Sequence, residues 1–187
     1  MVDEYRTLED LVRNLYANVF WTHKIHEKQA EIHECWFAWL SVFNIIFAAA
    51  TSAGIISLIF TDPQWLKVGS AVTAFITTAL SAVLALFDLK SRARDNKSTA
   101  TKLVCLRNEL LTMLAKIKFK NQPVQELMND FCALQKQVHD VYKDAPNTSN
   151  CAVNKAEAAI EKDKDGTYTD EQIDQILPEM LRRGSQG

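Results

Sequence analysis

Residues 35–87 read CWFAWLSVFNIIFAAATSAGIISLIF (35–60), TDPQWLK (61–67) and VGSAVTAFITTALSAVLALF (68–87). No charged side chain occurs from Cys35 through Thr61 or from Val68 through Phe87, and only Asp62 and Lys67 interrupt. A helix at the surface of a soluble protein keeps a polar face, and neither run has one. A charge-free apolar run of about 20 residues is long enough to cross a hydrocarbon core of about 30 Å. The pattern predicts a transmembrane helical hairpin, with spans at about 36–60 and 67–87 and a very short connection. Pro63 is expected as the first residue of the second helix, with Asp62 as its N-cap.

The ends of the hairpin carry membrane-boundary signals. Trp36 and Trp39 open the first span and Trp65 stands at the far loop, which marks them as interface anchors, ring buried and N–H wet. The second half of the first span, Ala48–Gly54, is small-residue rich, and small residues let helix backbones approach closely in lipid. The second span carries Ser70, Thr73, Thr77 and Ser81 at spacings of three, four and four, so they share one helix face. That face has two readings. The hydroxyls are candidates to line a pore once several hairpins assemble, since two helices cannot enclose a channel. They are equally candidates for hydrogen-bonding glue between helices.

Outward from the hairpin the chain turns polar, and its 24% charged residues are an ordinary fraction only because the arms dilute the spans. Residues 1–34 carry seven acids and four bases, residues 88–121 nine bases and three acids, and residues 122–187 seven bases and twelve acids. The bases Lys90, Arg92, Arg94 and Lys97 lie just beyond the second span, whereas the hairpin loop offers only Lys67. Basic residues near span ends stay in the cytoplasm, so both termini are expected there. The same four residues can meet anionic lipid headgroups. A retained hairpin after a polar leader, rather than a cleaved signal peptide, is the expected targeting element.

The arms read as helices. Leu8, Val12, Leu15 and Val19 form a stripe in residues 1–34, which are expected to run unbroken into the first span. The second span's helix is expected to continue to about Lys120, with Leu103, Leu106, Leu110, Met113 and Ile117 as a three-four seam. After Asn121-Gln122-Pro123 a third helix, about 124–143, carries Val124, Leu127, Phe131, Leu134, Val138 and Val141 and folds back on the other two. Residues 145–187 read as an acidic, partly helical tail, with a capping box at Thr169-x-x-Gln172. The fold class expected is therefore all-α: a two-helix transmembrane hairpin whose helices extend into a cytoplasmic helical bundle.

Other chemistry is sparse. His23, His26 and His33 cluster before the first span, but their spacing matches no zinc signature, and a solvated interfacial helix face is the expected reading. The stretch from Glu161 to Gln172 has the acids and Gly166 of a calcium loop but ends on Gln where a bidentate Glu belongs, so a solvated turn is expected. The four cysteines are far apart and read as free thiols in a reducing compartment. No phosphate loop, nucleophile elbow or intramembrane acid occurs, so neither an enzyme nor a proton-coupled transporter is expected, and no cofactor or metal. Nucleic-acid binding is disfavoured because the bases hug the bilayer and the rest of the polar chain is acidic.

The sequence Trp21-x-x-Lys24-x-His26-x-x-x-Ala30, the two-span hairpin, the basic exit and Leu103-x-x-Leu106-Arg107 together resemble the SLATT family over about residues 5–143. These are bacterial SMODS- and SLOG-associating two-transmembrane effectors. The resemblance implies a membrane effector of a conflict or antiphage defence system in the inner membrane. It further implies a homo-oligomer that forms a pore or otherwise disrupts the membrane when a sensor protein or nucleotide second-messenger system triggers it. A non-conducting anchor or scaffold that docks a cytoplasmic partner is the alternative. The tail after Asn150 has no counterpart in the resemblance.

Overall fold

The computed structural model describes residues 2–61, 63–120, 122–162, 164, 168–176 and 178. Every regular element among them is an α-helix: α1 (Val2–Phe60), α2 (Gln64–Phe87), α3 (Leu89–Phe119), α4 (Val124–Asp144), α5 (Asn150–Glu161) and α6 (Asp170–Ile176). The all-α hairpin-and-bundle architecture is as the sequence predicts.

α1 is one continuous rod of 59 residues. At 1.5 Å per residue it is about 90 Å long, roughly three hydrocarbon thicknesses. No proline interrupts it, and its polar arm feeds into the first span without a stop. The chain then turns and pairs with α1 all the way back. Moving down α1, Thr51 faces Thr73, Asn44 faces Ser81, His26 faces Asn96, Phe20 faces Arg107 and Tyr5 reaches Gln122. α2 and α3 together thus form the antiparallel mate of one unbroken helix.

That mate is broken once. The helix expected to run from the second span to Lys120 instead stops at Phe87 and restarts at Leu89, with Asp88 left-handed at φ 38°, ψ 50°. Aspartate tolerates that region better than most side chains. Its carboxylate accepts the Ser91 N–H at 3.2 Å, and the Phe87 carbonyl, which loses its helical partner, accepts Arg92 Nε at 3.1 Å. At the far end of the hairpin α2 starts at Gln64, one residue later than expected. Pro63 is the extended N-cap residue (φ −78°, ψ 133°) rather than the first helical one, and it makes no side-chain cap hydrogen bond. The expected cap Asp62 lies outside the described residues.

The arms build a small core. Leu8, Val12 and Val19 of α1 meet Leu103, Leu106, Leu110, Met113 and Ile117 of α3 and Leu127, Phe131, Leu134 and Val138 of α4, all buried. The three-four seams are therefore core stripes, and α4 folds back onto the α1–α3 pair. Fully burying one such side chain contributes about 1.5–3 kcal/mol. The exposed Lys116–Asp130 pair at 3.6 Å between α3 and α4 contributes about 0–1 kcal/mol, so the apolar stripes decide the association. Tyr5 Oη donates to the Gln122 carbonyl at 2.9 Å, and Lys120 lies over the Tyr5 ring at 5.8 Å, which fastens the start of α1 to the α3–α4 turn.

α5 is the short Ala-rich helix that residues 151–161 suggest, and its docking on α1 is what the sequence did not announce. It lays Ala152, Ala156 and Ala159, all buried, along α1. Spacings of four and three keep these methyls on one face, and their small size lets the two helices approach. At α6 the capping box is present as read: Thr169 N–H donates to Gln172 Oε1 at 3.0 Å, and Gln172 N–H to Thr169 Oγ1 at 3.4 Å. The calcium-loop reading rests on Asp163, Asp165 and Gly166, which lie outside the described residues.

Candidate functional site in the membrane hairpin

Two helical stretches are long and apolar enough to cross a membrane, Glu4–Phe60 and Gln64–Phe119, and no residue of either apolar window is buried inside the protein. Side chains such as Ile45, Ile59, Phe60, Phe75 and Leu86 therefore face outward without protein cover. In water such a surface would be an aggregation hazard, and in lipid it is the solvated state. Trp36 and Trp39 stand at one end of the hairpin and Trp65 at the other, all exposed. Trp39 stacks on Phe43 with centroids 5.9 Å apart.

The hydroxyl face of α2 turns toward α1. Ser81 Oγ donates to Asn44 Oδ1 at 3.2 Å. About two turns toward the loop, Thr51 Oγ1 lies 2.9 Å from Thr73 Oγ1 and 2.8 Å from the Phe47 carbonyl, while Thr73 Oγ1 lies 3.0 Å from the Ser70 carbonyl. Two hydroxyl protons are shared among those three contacts. Thr77 bonds back to the Thr73 carbonyl at 2.9 Å. Nearest the loop, Ser70 meets Gly54. A Cβ added to Gly54 would collide with Ser70 Oγ as it stands and force that hydroxyl to rotate away, while Ser70 Cβ at 3.4 Å would be in ordinary contact. Ser70 Oγ is buried with no hydrogen-bond partner among the described residues.

Ser70, Thr73 and Ser81 thus meet α1 along one seam, and Thr77, on the same face, bonds back to its own helix. Their mates on α1, Asn44 and Thr51, are residues the sequence reading did not single out. A lone carboxamide inside an otherwise apolar run was the available signal for Asn44, since such a group seeks a hydrogen bond in lipid.

Outside the hairpin, the histidine face read as solvated is instead a buried polar layer. His23, Lys24, His26, Gln29, Asn96 and Thr99 are all buried between helices. His26 Nδ1 donates to Asn96 Oδ1 at 2.9 Å, which fixes that nitrogen as the protonated one, because the oxygen can only accept. Asn96 Nδ2 donates to the Arg92 carbonyl at 2.9 Å. The cover comes from the tail. Ser149 N–H and Oγ–H both donate to Gln29 Oε1, each at 2.8 Å, and Ser149 Oγ accepts Ala152 N–H as the cap of α5. Gln29 Nε2 in turn donates to His33 Nε2 at 2.9 Å, which requires a neutral His33. Burial first, and then the nearby Arg92 guanidinium, hold the His33 pKa below its ordinary value. Lys24 Nζ is held by Glu27 at 2.7 Å. The sequence reading missed this layer because a polar stripe on a helix has the same pattern whether water or another helix faces it.

Of the basic residues at the hairpin exit, Arg92 is committed to the Phe87 carbonyl. Lys90, Arg94 and Lys97 instead line a groove of about 310 Å³ with Glu34, Phe37 and Ala93.

The family model for SMODS and SLOG-associating 2TM effector domain family 4 matches residues 8–172. The chain belongs to this family. The SLATT match runs past the 5–143 stretch on which the resemblance rests, through α5 and into α6, so the tail up to residue 172 is part of the domain. The residues that carry the resemblance are the joint between the SLATT arms: Lys24, His26, Ala30, Leu103 and Leu106 are buried, and Arg107 lies over the Phe20 ring at 5.8 Å. The SLATT description names an effector domain with two membrane spans, which makes this a membrane protein. No curated protein and no solved structure matches the chain.

Proposed function

We propose that the chain is a non-enzymatic effector that acts on the membrane itself, assembling into an oligomer that opens a polar path when triggered. The observation that carries this reading is the polar seam inside a charge-free hairpin: Asn44 with Ser81, Thr51 with Thr73, and Gly54 with Ser70. Side chains that close on each other within one hairpin would line an axis if several hairpins opened toward a common centre. Leaving a buried hydroxyl without a partner costs about 1–3 kcal/mol. The lone Ser70 Oγ therefore gains from an opened state in which water reaches it. Ser70, Thr73, Thr77 and Ser81 are the pore-lining residues of this reading.

The membrane would be the bacterial inner membrane, with both termini cytoplasmic, since the basic residues crowd the arm side of the hairpin and Lys67 alone stands in the loop. Trp36, Trp39 and Trp65 would anchor its two interfaces. The setting would be a conflict or antiphage system, with a sensor protein or a nucleotide second messenger as trigger. The partners would be lipid and further copies of the chain rather than nucleic acid. The test is dye efflux from liposomes holding the purified protein. Thr73→Val, which keeps the shape and removes the hydroxyl, should abolish efflux and leave oligomers intact. Assembled oligomers that keep the bilayer tight under every trigger tried would sink the reading.

A second reading, a non-conducting anchor that docks a cytoplasmic partner, is favoured by the hydroxyls already being partnered within one hairpin. It expects the toxicity of Thr73→Val to equal that of the parent.

A further inference from the structure

We propose that Lys90, Arg94 and Lys97 form a headgroup site for an anionic phospholipid, with Phe37 as its apolar wall. The three cations stand at i, i+4 and i+7 on one face of α3 and line a single groove between α3 and α1. None of their side chains makes a hydrogen bond or ion pair among the described residues. Neither does Glu34, the only acid in the groove, although it lies close enough to share the lining. The lining of the groove sets three bases against one acid, an excess of two positive charges, and Lys97 at its edge also lines the neighbouring groove with Glu27, Glu31 and Glu34. Arg92, which lies between them in sequence, shows the contrast: its side chain turns to the Phe87 carbonyl and does not line the groove.

The level of the groove selects the source of the anion. Lys90 follows the last residue of α2 by three positions, and Phe37 follows the first interface tryptophan by one. The groove therefore sits where the apolar surface of the hairpin gives way to the charged arms, the depth of lipid phosphates. An aromatic edge beside basic groups matches a lipid, which presents carbon below its phosphate; a free phosphate has no use for it. The shared chemistry is a phosphate oxyanion, and the experiment separates the two sources. The site needs only a hairpin in a bilayer, so it stands or falls separately from the pore reading.

The test uses the full chain in neutral micelles doped with equal phosphatidylglycerol and phosphatidylcholine, with bound lipid counted by native mass spectrometry. Phosphatidylglycerol should be retained preferentially, and the Lys90→Gln, Arg94→Gln, Lys97→Gln triple variant should lose that retention by roughly tenfold or more. Lys102→Gln, exposed on α3 and outside the groove, should leave it unchanged. Glu34→Gln removes the one opposing charge and should raise retention, a gain that misfolding does not produce. Equal retention by the triple variant and the parent, or no headgroup preference in the parent, overturns the site. Displacement of the lipid by excess inorganic phosphate overturns the lipid assignment.

Discussion

At Gly54 the Ser70 hydroxyl occupies the place a Cβ would take, and the Ser70 Cβ stands just behind it at 3.4 Å, so a branched side chain does not fit. Gly54→Val should force the spans apart and cost about 1–3 kcal/mol, the usual penalty of overpacking. A cysteine pair placed across the seam would report it as slower disulfide formation in the variant. Midway along α1 the seat of α5 hangs on Gln29, whose oxygen takes two bonds from Ser149. Gln29→Leu should cost about 1–3 kcal/mol, because it removes two hydrogen bonds worth about 0.5–1.5 kcal/mol each, and hydrogen exchange should rise in α5 before it rises in α3. The same joint titrates. His33 accepts from Gln29 only while neutral, and the fold holds its pKa below the ordinary 6.5. A depressed folded pKa means that the undocked state binds the proton more readily. The stabilisation is therefore complete above pH 6.5 and is lost as the pH falls below it toward the lower folded value. Exchange of the α5 amides, corrected for its intrinsic pH dependence, should accelerate between neutral pH and pH about 5.5. In His33→Gln that acceleration should shrink, since the remaining histidines do not touch Gln29 Nε2.

The elements divide by what stabilises them. α1, α3 and α4 are held by apolar stripes, and Leu110 is fully buried where they meet. Leu110→Ala should cost about 2–5 kcal/mol in thermal or chemical unfolding of the arms. α2 has no buried residue at all, and its partners are α1 and the lipid. The break between α2 and α3 rests on one residue. Asp88 supplies both a tolerated left-handed backbone and the cap on Ser91. Asp88→Ala loses both and should destabilise by about 1–2 kcal/mol, whereas Asp88→Asn, which keeps the cap and tolerates the same backbone, should stay near the parent. Melting temperatures of the two variants in one detergent check the pair. The heptad-like stripes were legible because burial of helix faces follows a period that composition reveals. The break at Asp88 was not, since its causes are a carboxylate and a guanidinium reaching local backbone groups, and neither leaves a periodic trace.

On the scale of the whole molecule, one long helix serves two solvents. The same rod that packs against α3 and α4 in water packs against α2 in lipid, in one antiparallel register. A change in how the arms pack has therefore a stiff lever to the spans, with no joint along α1 to absorb it. α5 stands at the base of that lever, on the buried polar layer nearest the hairpin. Removal of residues 145–187 should leave the chain in the membrane fraction while lowering the arm stability, because it takes away the tail bonded to Gln29 and leaves both spans in place. Fractionation and a melting curve on the same preparation read the two effects separately.

The sequence by itself determined the solvent of each segment and the stripes that join the arms. Charge-free length and apolar period are properties of the chain that survive without knowing any contact. The tertiary structure alone decided what the polar groups do. It turned the hydroxyls of α2 onto Asn44, Thr51 and Gly54, and it closed the histidine face under α5. It also set Arg92 apart from Lys90, Arg94 and Lys97. A polar side chain reads alike in sequence whether water, lipid phosphate or another helix satisfies it, and only the geometry of its neighbours distinguishes the three.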